Sequence, residues 1–219
     1  MPVFTLIAHH DLGTTGDCLH LCLTILIFLK RDLPVNSTNF PRHKVFVSYH
    51  HANDQDYRDR FEKLFAGQHD IMVSKSVQDG DINENLPAET IRQKIRDEYL
   101  RDSTVTVVLI GTETWKRKHV DWEIGTSLRE TKHSSRSGLL GILLPTYPGY
   151  KKREYDPHTI PPRLFDNLEN AFAKLYCWDE NPATVQQWID EAFERRNKIL
   201  PDNSRASFGK NRSGTAWTD

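Results

Sequence analysis

At 219 residues, with 37% hydrophobic and 27% charged side chains, the chain has the makeup of a globular domain of ordinary size plus extensions. A formal net charge of -1 gives neither the basic field of a nucleic-acid binder nor the acidic excess of a solvating tail, so no nucleic-acid partner is expected. Three cysteines (Cys18, Cys22, Cys177) are too few for a disulfide framework and lack the spacing of a metal site, which favours a reducing cytoplasm.

Residues 1–42 lack the regular patterning of the remaining chain and read as an N-terminal extension. Its apolar segment, Cys18 to Leu29, is shorter than the roughly 20 residues that span a bilayer. Asp11 and Asp17 precede it with no Lys or Arg, so the positive start of a secretory signal is missing. Three readings stay open: a short membrane-associating segment, an extra helix packed on the domain, or residues outside the folded unit, including a translation start placed too early.

From His43 the pattern becomes regular. Val45, Phe46 and Val47 make a first short strand that ends in Ser48, Tyr49, His50 and His51. Asn53 or Asp54 can cap a helix with the stripe Tyr57, Phe61, Leu64 and Phe65, closed by Gly67. Ile71, Met72 and Val73 form a second strand, followed by the polar loop Ser74–Pro87 and a helix from Ala88 to Leu100 with Ile91, Ile95 and Tyr99 on one face. Val105, Val107, Val108, Leu109 and Ile110 form a nearly unbroken aliphatic run, the pattern of a strand covered on both faces. Gly111 and Thr112 end that strand. A basic loop with Trp115, Lys116, Arg117, Lys118 and His119 leads to a helix beginning near Val120, which places Glu123 in its first turn.

Gly138 to Leu144 is a fourth strand, closed by Pro145, and Thr146 to Pro162 is expected to be a long surface loop. Ala173 to Trp178 is a fifth strand. Asn181 followed by Pro182 starts a last helix with the stripe Val185, Trp188, Ile189, Ala192 and Phe193. The domain thus spans 43–198, and 199–219, rich in Ser, Arg, Asn, Gly and Lys, is expected to be a disordered tail.

Strands alternating with helices predict an α/β fold, a doubly wound five-stranded parallel sheet in the flavodoxin-like order 2-1-3-4-5. Ligands of such sheets bind beyond the carboxyl ends of the strands at the switch point, here between the first and third. Ser48–His51 and Gly111–Glu123 are expected to line that crevice. Several chemistries are excluded there. A receiver domain needs an acidic pair after the first strand and an Asp after the third, where Ser48-Tyr49-His50 and Gly111-Thr112 stand. There is no GxxxxGK[ST], no GxGxxG after the first strand and no Gly-x-Ser-x-Gly elbow.

The segment Lys44-Val-Phe-Val-Ser-Tyr-His-His with Asn53-Asp54, the loop after the second strand, and Trp115…Val120-Asp-Trp-Glu123-Ile together resemble the TIR domain family. They are most similar to the signal-producing B component of the bacterial Thoeris anti-phage system. The resemblance covers about 155 residues from Lys44 to Lys198 and does not reach the first 42. It implies that Glu123 is catalytic, cleaving the bond between nicotinamide and ribose of NAD, with NAD a substrate rather than a cofactor. By residue type and place at the crevice, Ser48, Tyr49, His50, Trp115 and His119 are the candidate substrate-binding residues, and no metal is expected because no other ligand stands at suitable spacing from the histidines. The resemblance further implies a cyclic or modified ADP-ribose signal acting on a separate sirtuin-like NADase effector, and self-association through the loop 74–87.

Each of these side chains also admits a plain structural reading. Glu123 can simply complement the positive end of a helix dipole. Trp115 can stack on a base or pack over the sheet, and Trp122 suits a core or an interface. Ser48 and Tyr49 can hydrogen-bond a nucleotide or satisfy the end of the strand. Lys116, Arg117 and Lys118 can attract a pyrophosphate or form a solvated charge run. A non-catalytic TIR scaffold and a nucleotide sensor stay open as alternatives to the enzyme.

Overall fold

The computed structural model describes residues 4–5, 42–65, 70–71, 86–100, 102–131 and 135–218. Five parallel strands make the central sheet: β1 (Lys44–Ser48), β2 (Asp70–Ile71), β3 (Val105–Ile110), β4 (Gly138–Leu143) and β5 (Ala173–Cys177). They lie side by side as β2-β1-β3-β4-β5, the expected doubly wound, flavodoxin-like order. The helices among the described residues are α1 (His51–Phe65), α2 (Ala88–Lys94), α3 (Lys118–Ser127), α4 (Pro162–Glu169) and α5 (Pro182–Arg195). A π-helical turn, Ile95–Tyr99, continues α2.

All six residues of β3 are buried, and alternation along the strand divides them between two layers. Val105, Val107 and Leu109 meet Phe61 and Phe65 of α1 and Val185, Ile189 and Ala192 of α5. Val108 and Ile110 pack on the other face against Val120 and Ile124 of α3 and Leu164 of α4. Phe46 of β1 joins Ile91, Ile95, Leu100 and Trp122, so α2 and α3 share its layer. Each buried aliphatic side chain contributes about 1.5–3 kcal/mol, and with helices on both faces only a continuous apolar run collects that gain at every position. At the start of β4 the fit against α5 is closest: a Cβ on Gly138 would stand 2.2 Å from the Ala192 carbonyl oxygen.

Two helices begin earlier than their sequence signals suggest. α1 starts at His51, and the backbone N–H groups of Asn53 and Asp54 donate to the His50 carbonyl at 3.2 and 2.9 Å. Asp54 is therefore no cap; its fully buried side chain turns into the protein. α3 starts at Lys118, so Glu123 lies in its second turn, where the helix dipole has largely faded. The last helix matches its signals, with the Asn181 side chain accepting from the Ala183 N–H at 3.0 Å and Pro182 at the first helical position.

The segment 146–162 is not simply a surface loop. It contains the turns Tyr150–Lys152 and Pro157–Thr159 and a short strand, Glu154–Tyr155, paired antiparallel with Phe4–Thr5. Tyr147 and Ile160 are buried in the cluster with Leu164, because apolar side chains near the open face of that layer gain more by covering it than by solvation. The helix α4, next in the chain, has no counterpart among the expected elements. Its short stripe, Leu164 and Leu168, is masked in the sequence by the prolines before it.

The C-terminal tail also departs from expectation: residues 200–218 lie ordered against the domain. Phe208 and Trp217 are buried, the Trp217 indole N–H donates to the Ile160 carbonyl, and the Phe208 carbonyl accepts from the Trp122 indole. Its composition suggests disorder on average, but two aromatic anchors and well-placed Asn side chains supply specific partners. The segment Cys18–Leu29, Gly67, Met72, Val73 and the loop Ser74–Pro87 up to Asn85 lie outside the described residues. No described helix is long and apolar enough to cross a membrane.

An ion pair of Asp121 with Arg163 joins α3 to α4 with both side chains 2% exposed. Arg163 Nε donates to Asp121 Oδ1 at 2.9 Å and its Nη2 to Oδ2 at 3.4 Å, and the Phe208 N–H also donates to Oδ2. Removing one partner of such a pair strands the other charge. Arg163→Ala is expected to lower stability by about 3–5 kcal/mol, read as a drop in the urea midpoint, with part recovered when Asp121→Asn is added.

Candidate functional site

The carboxyl ends of β1 and β3 meet at the switch point, and the register decides which side chains meet there. Ser48 pairs with Val108 and shares a sheet face with Phe46, two residues earlier. α3 covers that face: Trp122 packs on Phe46, and the next residue, Glu123, reaches Ser48. The Ser48 hydroxyl donates to Glu123 Oε2 at 2.6 Å, with both side chains fully buried. Val120, Ile124 and Leu128 form the buried stripe of α3, and Glu123 is buried beside it.

The remaining candidates are spread around this pair. Tyr49 points to the opposite face, into the cluster beneath α1 and α5, and its hydroxyl donates to Gln55 Oε1 at 2.6 Å. Burial above all raises the Tyr49 phenol to about 12, with the charges of Asp59 and Glu123 adding to it and Arg58 opposing. It therefore stays protonated across the physiological range. His50 is buried at the entry to α1, where its carbonyl starts the helix. Trp115 is buried in the turn Thr114–Lys116, 2% exposed, which fits packing rather than an open stacking surface. His119 lies one turn before Glu123 on α3, its ring edge-on to Trp122 at 5.5 Å. Thus Ser48 and Glu123 are brought into contact and His119 onto the same helix face, while Tyr49 packs on the opposite sheet face and Trp115 is buried in the turn after β3.

The basic run is only partly offset by local pairing. Lys116 and Arg117 donate to the two oxygens of Glu113 at 2.9 and 2.8 Å, and the buried Lys118 ammonium stands over the Trp122 ring. Among the described residues no three His, Cys, Asp or Glu side chains group as a metal site requires.

A second buried carboxylate borders the strand ends, and its sequence signal suggested only a helix cap. Asp54 lies against Gly111, where a Cβ would fall 2.3 Å from its Oδ1, so only glycine leaves room for it. Thr114 and Thr146 donate to its two oxygens, each at 3.3 Å. The Gly111 N–H in turn donates to Thr114 Oγ1, and the Thr112 hydroxyl to the Thr146 carbonyl. The carboxyl group thereby ties α1 to the loops after β3 and β4. Burial pushes it up to about 6, against the two threonine hydrogen bonds that pull it down.

A raised carboxyl favours the folded state when protonated, so its stabilisation is complete below the unfolded pKa and is lost as pH rises through about 6. Denaturant unfolding at pH 4 and pH 7 is expected to show wild type losing on the order of 3 kcal/mol relative to Asp54→Asn over that interval. A constant difference between the two proteins would remove Asp54 as the origin.

The family described as Thoeris protein ThsB, TIR-like domain, matches residues 46–148. The match runs from β1 through β4 and includes Ser48, Asp54 and Glu123; α4, β5, α5 and the C-terminal segment lie beyond it. No curated protein matches the chain.

Proposed function

We propose that this protein, whose residues 46–148 belong to the TIR-like domain family of the Thoeris protein ThsB, is an NAD-cleaving enzyme of anti-phage defence with Glu123 as its catalytic carboxylate. One observation carries the reading: the 2.6 Å hydrogen bond that fixes Glu123 to Ser48 across the switch point of the sheet, where ligands of this architecture bind.

The chemistry suits a single carboxylate. In NAD the leaving nicotinamide is already cationic, so the C1′–N bond breaks with its electron pair passing to the ring nitrogen. Neutral nicotinamide departs without a general acid, unlike the alkoxide of ordinary glycoside hydrolysis. The positive charge moves to the ribose as an oxocarbenium ion. A fixed carboxylate beside C1′ stabilises that charge most when water is excluded. Water capture then yields ADP-ribose and a proton, and capture by a hydroxyl or ring nitrogen of the same molecule yields a cyclic isomer. The reading extends to a cyclic or modified ADP-ribose product that activates a separate sirtuin-like NADase effector.

Ser48 acts as a positioning residue, since its hydroxyl is committed to Glu123 Oε2. Glu123 has no exposed surface, so NAD reaches it only when the crevice opens, and closure behind the substrate would expel water.

Purified full-length protein incubated with NAD is expected to release nicotinamide and an ADP-ribose-type product, separated by chromatography and identified by mass. Glu123→Gln, which keeps the shape and removes the charge, is expected to lower turnover on the order of 100- to 1,000-fold with the fold intact by circular dichroism. Equal turnover by Glu123→Gln and wild type would remove the carboxylate from the mechanism.

A further inference from the structure

The other side of α3 borders a cavity that NAD cleavage at Glu123 leaves unused. Trp122, Gly125 and Arg129 follow one another at i, i+3 and i+7, a single stripe of the helix and its end, and line one wall. Arg92 of α2, Arg163 of α4 and the segment Asn203–Ser207 close the rest around a volume of about 180 Å³. Every ionisable side chain lining it is an arginine: Arg92, Arg129, Arg163 and Arg205.

The carboxylates that balance these arginines are not equivalent. Asp121 holds Arg163 from within the protein, and Asp166 takes two hydrogen bonds from Arg205 at 2.8 and 2.9 Å. Both acids are largely shielded from solvent. Glu89 is 66% exposed, and its Oε2 alone accepts from Arg92 Nη1 at 3.0 Å and from Arg129 Nη1 at 3.2 Å. Two guanidinium groups, one from α2 and one from just beyond the end of α3, thus converge on one oxygen at the outer side of the cavity. Exposed pairs of this kind add little net stability, so Glu89 is easily displaced. Each guanidinium presents five donors in a planar fork suited to oxyanions, and Arg92 Nη2 also lies 3.4 Å from the Ser207 hydroxyl.

We propose that this cavity is a binding site for a phosphate group, seated between Arg92 and Arg129 where Glu89 now bridges them. A tetrahedral group with several charged oxygens can engage both guanidinium forks and a serine hydroxyl at once, which the single Glu89 oxygen does not. The volume lies below the ~300–1,000 Å³ of sites that enclose drug-sized ligands, so the cavity takes the phosphate and leaves any attached group outside. Its ligand is inorganic phosphate or the phosphate of a nucleotide, a chemistry both sources share.

Calorimetric titration of the full chain with inorganic phosphate, at constant ionic strength and against a chloride control, tests the site. Saturable binding is expected. Arg92→Gln and Arg129→Gln are each expected to weaken it about tenfold or more, and the double variant to abolish it, with unchanged circular dichroism because both side chains are partly exposed. Glu89→Gln leaves every arginine in place and is expected to tighten binding several-fold by removing the competing carboxylate. ADP-ribose, titrated in parallel in the Glu123→Gln background, separates the sources. Loss of its binding in the double arginine variant identifies a nucleotide phosphate, whereas survival of its binding there beside lost phosphate binding identifies free phosphate. No saturable phosphate binding, or equal affinity in wild type and the double arginine variant, would overturn the proposal. No step of this test reads NAD turnover, so its outcome is independent of the role of Glu123.

Discussion

The ion pair between Asp121 and Arg163 is the constraint on which the position of α3 depends. A pair 2% exposed on both sides has lost its water and repays that cost only if geometry and further hydrogen bonds are favourable. Those bonds are present: Asn203 accepts from Arg163 Nη1 at 2.6 Å, and the Phe208 N–H donates to Asp121 Oδ2 at 2.9 Å. Both partners come from the C-terminal segment, so the pair is complete only when that segment is in place. A hydrophobic replacement of equal volume could be as stable. What the charged version adds is direction, since a forked guanidinium fixes the rotation of α3 about its axis more sharply than apolar contact does.

That rotation matters because consecutive residues of α3 serve different surroundings. Asp121 faces α4, Trp122 the layer beneath α2, and Glu123 the end of β1. A turn of the helix that kept the apolar stripe buried would still break the 2.6 Å bond to Ser48. The C-terminal segment holds the start of the same helix as well. The Asn211 side chain accepts from the Lys118 N–H at 3.0 Å, and the Arg212 N–H donates to the Lys116 carbonyl at 2.7 Å. Asn211 therefore supplies from about ninety residues away the cap that Arg117 cannot provide locally.

These features divide by their dependence on local pattern. The strands β1, β3 and β4 are continuous apolar runs, and the sheet order follows from them with little freedom. The placement of Ser48 and Glu123 on the two sides of the switch point was likewise legible from strand order, but the direct hydrogen bond between them was not. Asp54 was not, since a carboxylate three residues into a helix looks like a cap until Gly111 is seen to make room for it. α4 and the C-terminal segment were hidden for a related reason. Short stripes and Asn-rich composition gain meaning only from partners distant in sequence, such as Asn167, which exchanges two hydrogen bonds with the Asp202 backbone.

The burial of Glu123 bears on the kind of ligand its crevice suits. A carboxylate without solvent contact costs several kcal/mol unless donors or a positive charge stand against it. The Ser48 hydroxyl is one such donor, to Oε2. A ligand that is locally cationic, or becomes so along the reaction, gains more from such a carboxylate than a neutral one does. On the proposed function, the gain is largest at the point where the positive charge passes from pyridinium to ribose. An ionised Glu123 repels an anionic group, so on the proposed function the phosphates of a dinucleotide lie away from it. The arginine-lined cavity and the Glu123 side chain thus lie on two sides of one helix, and α3 keeps them apart.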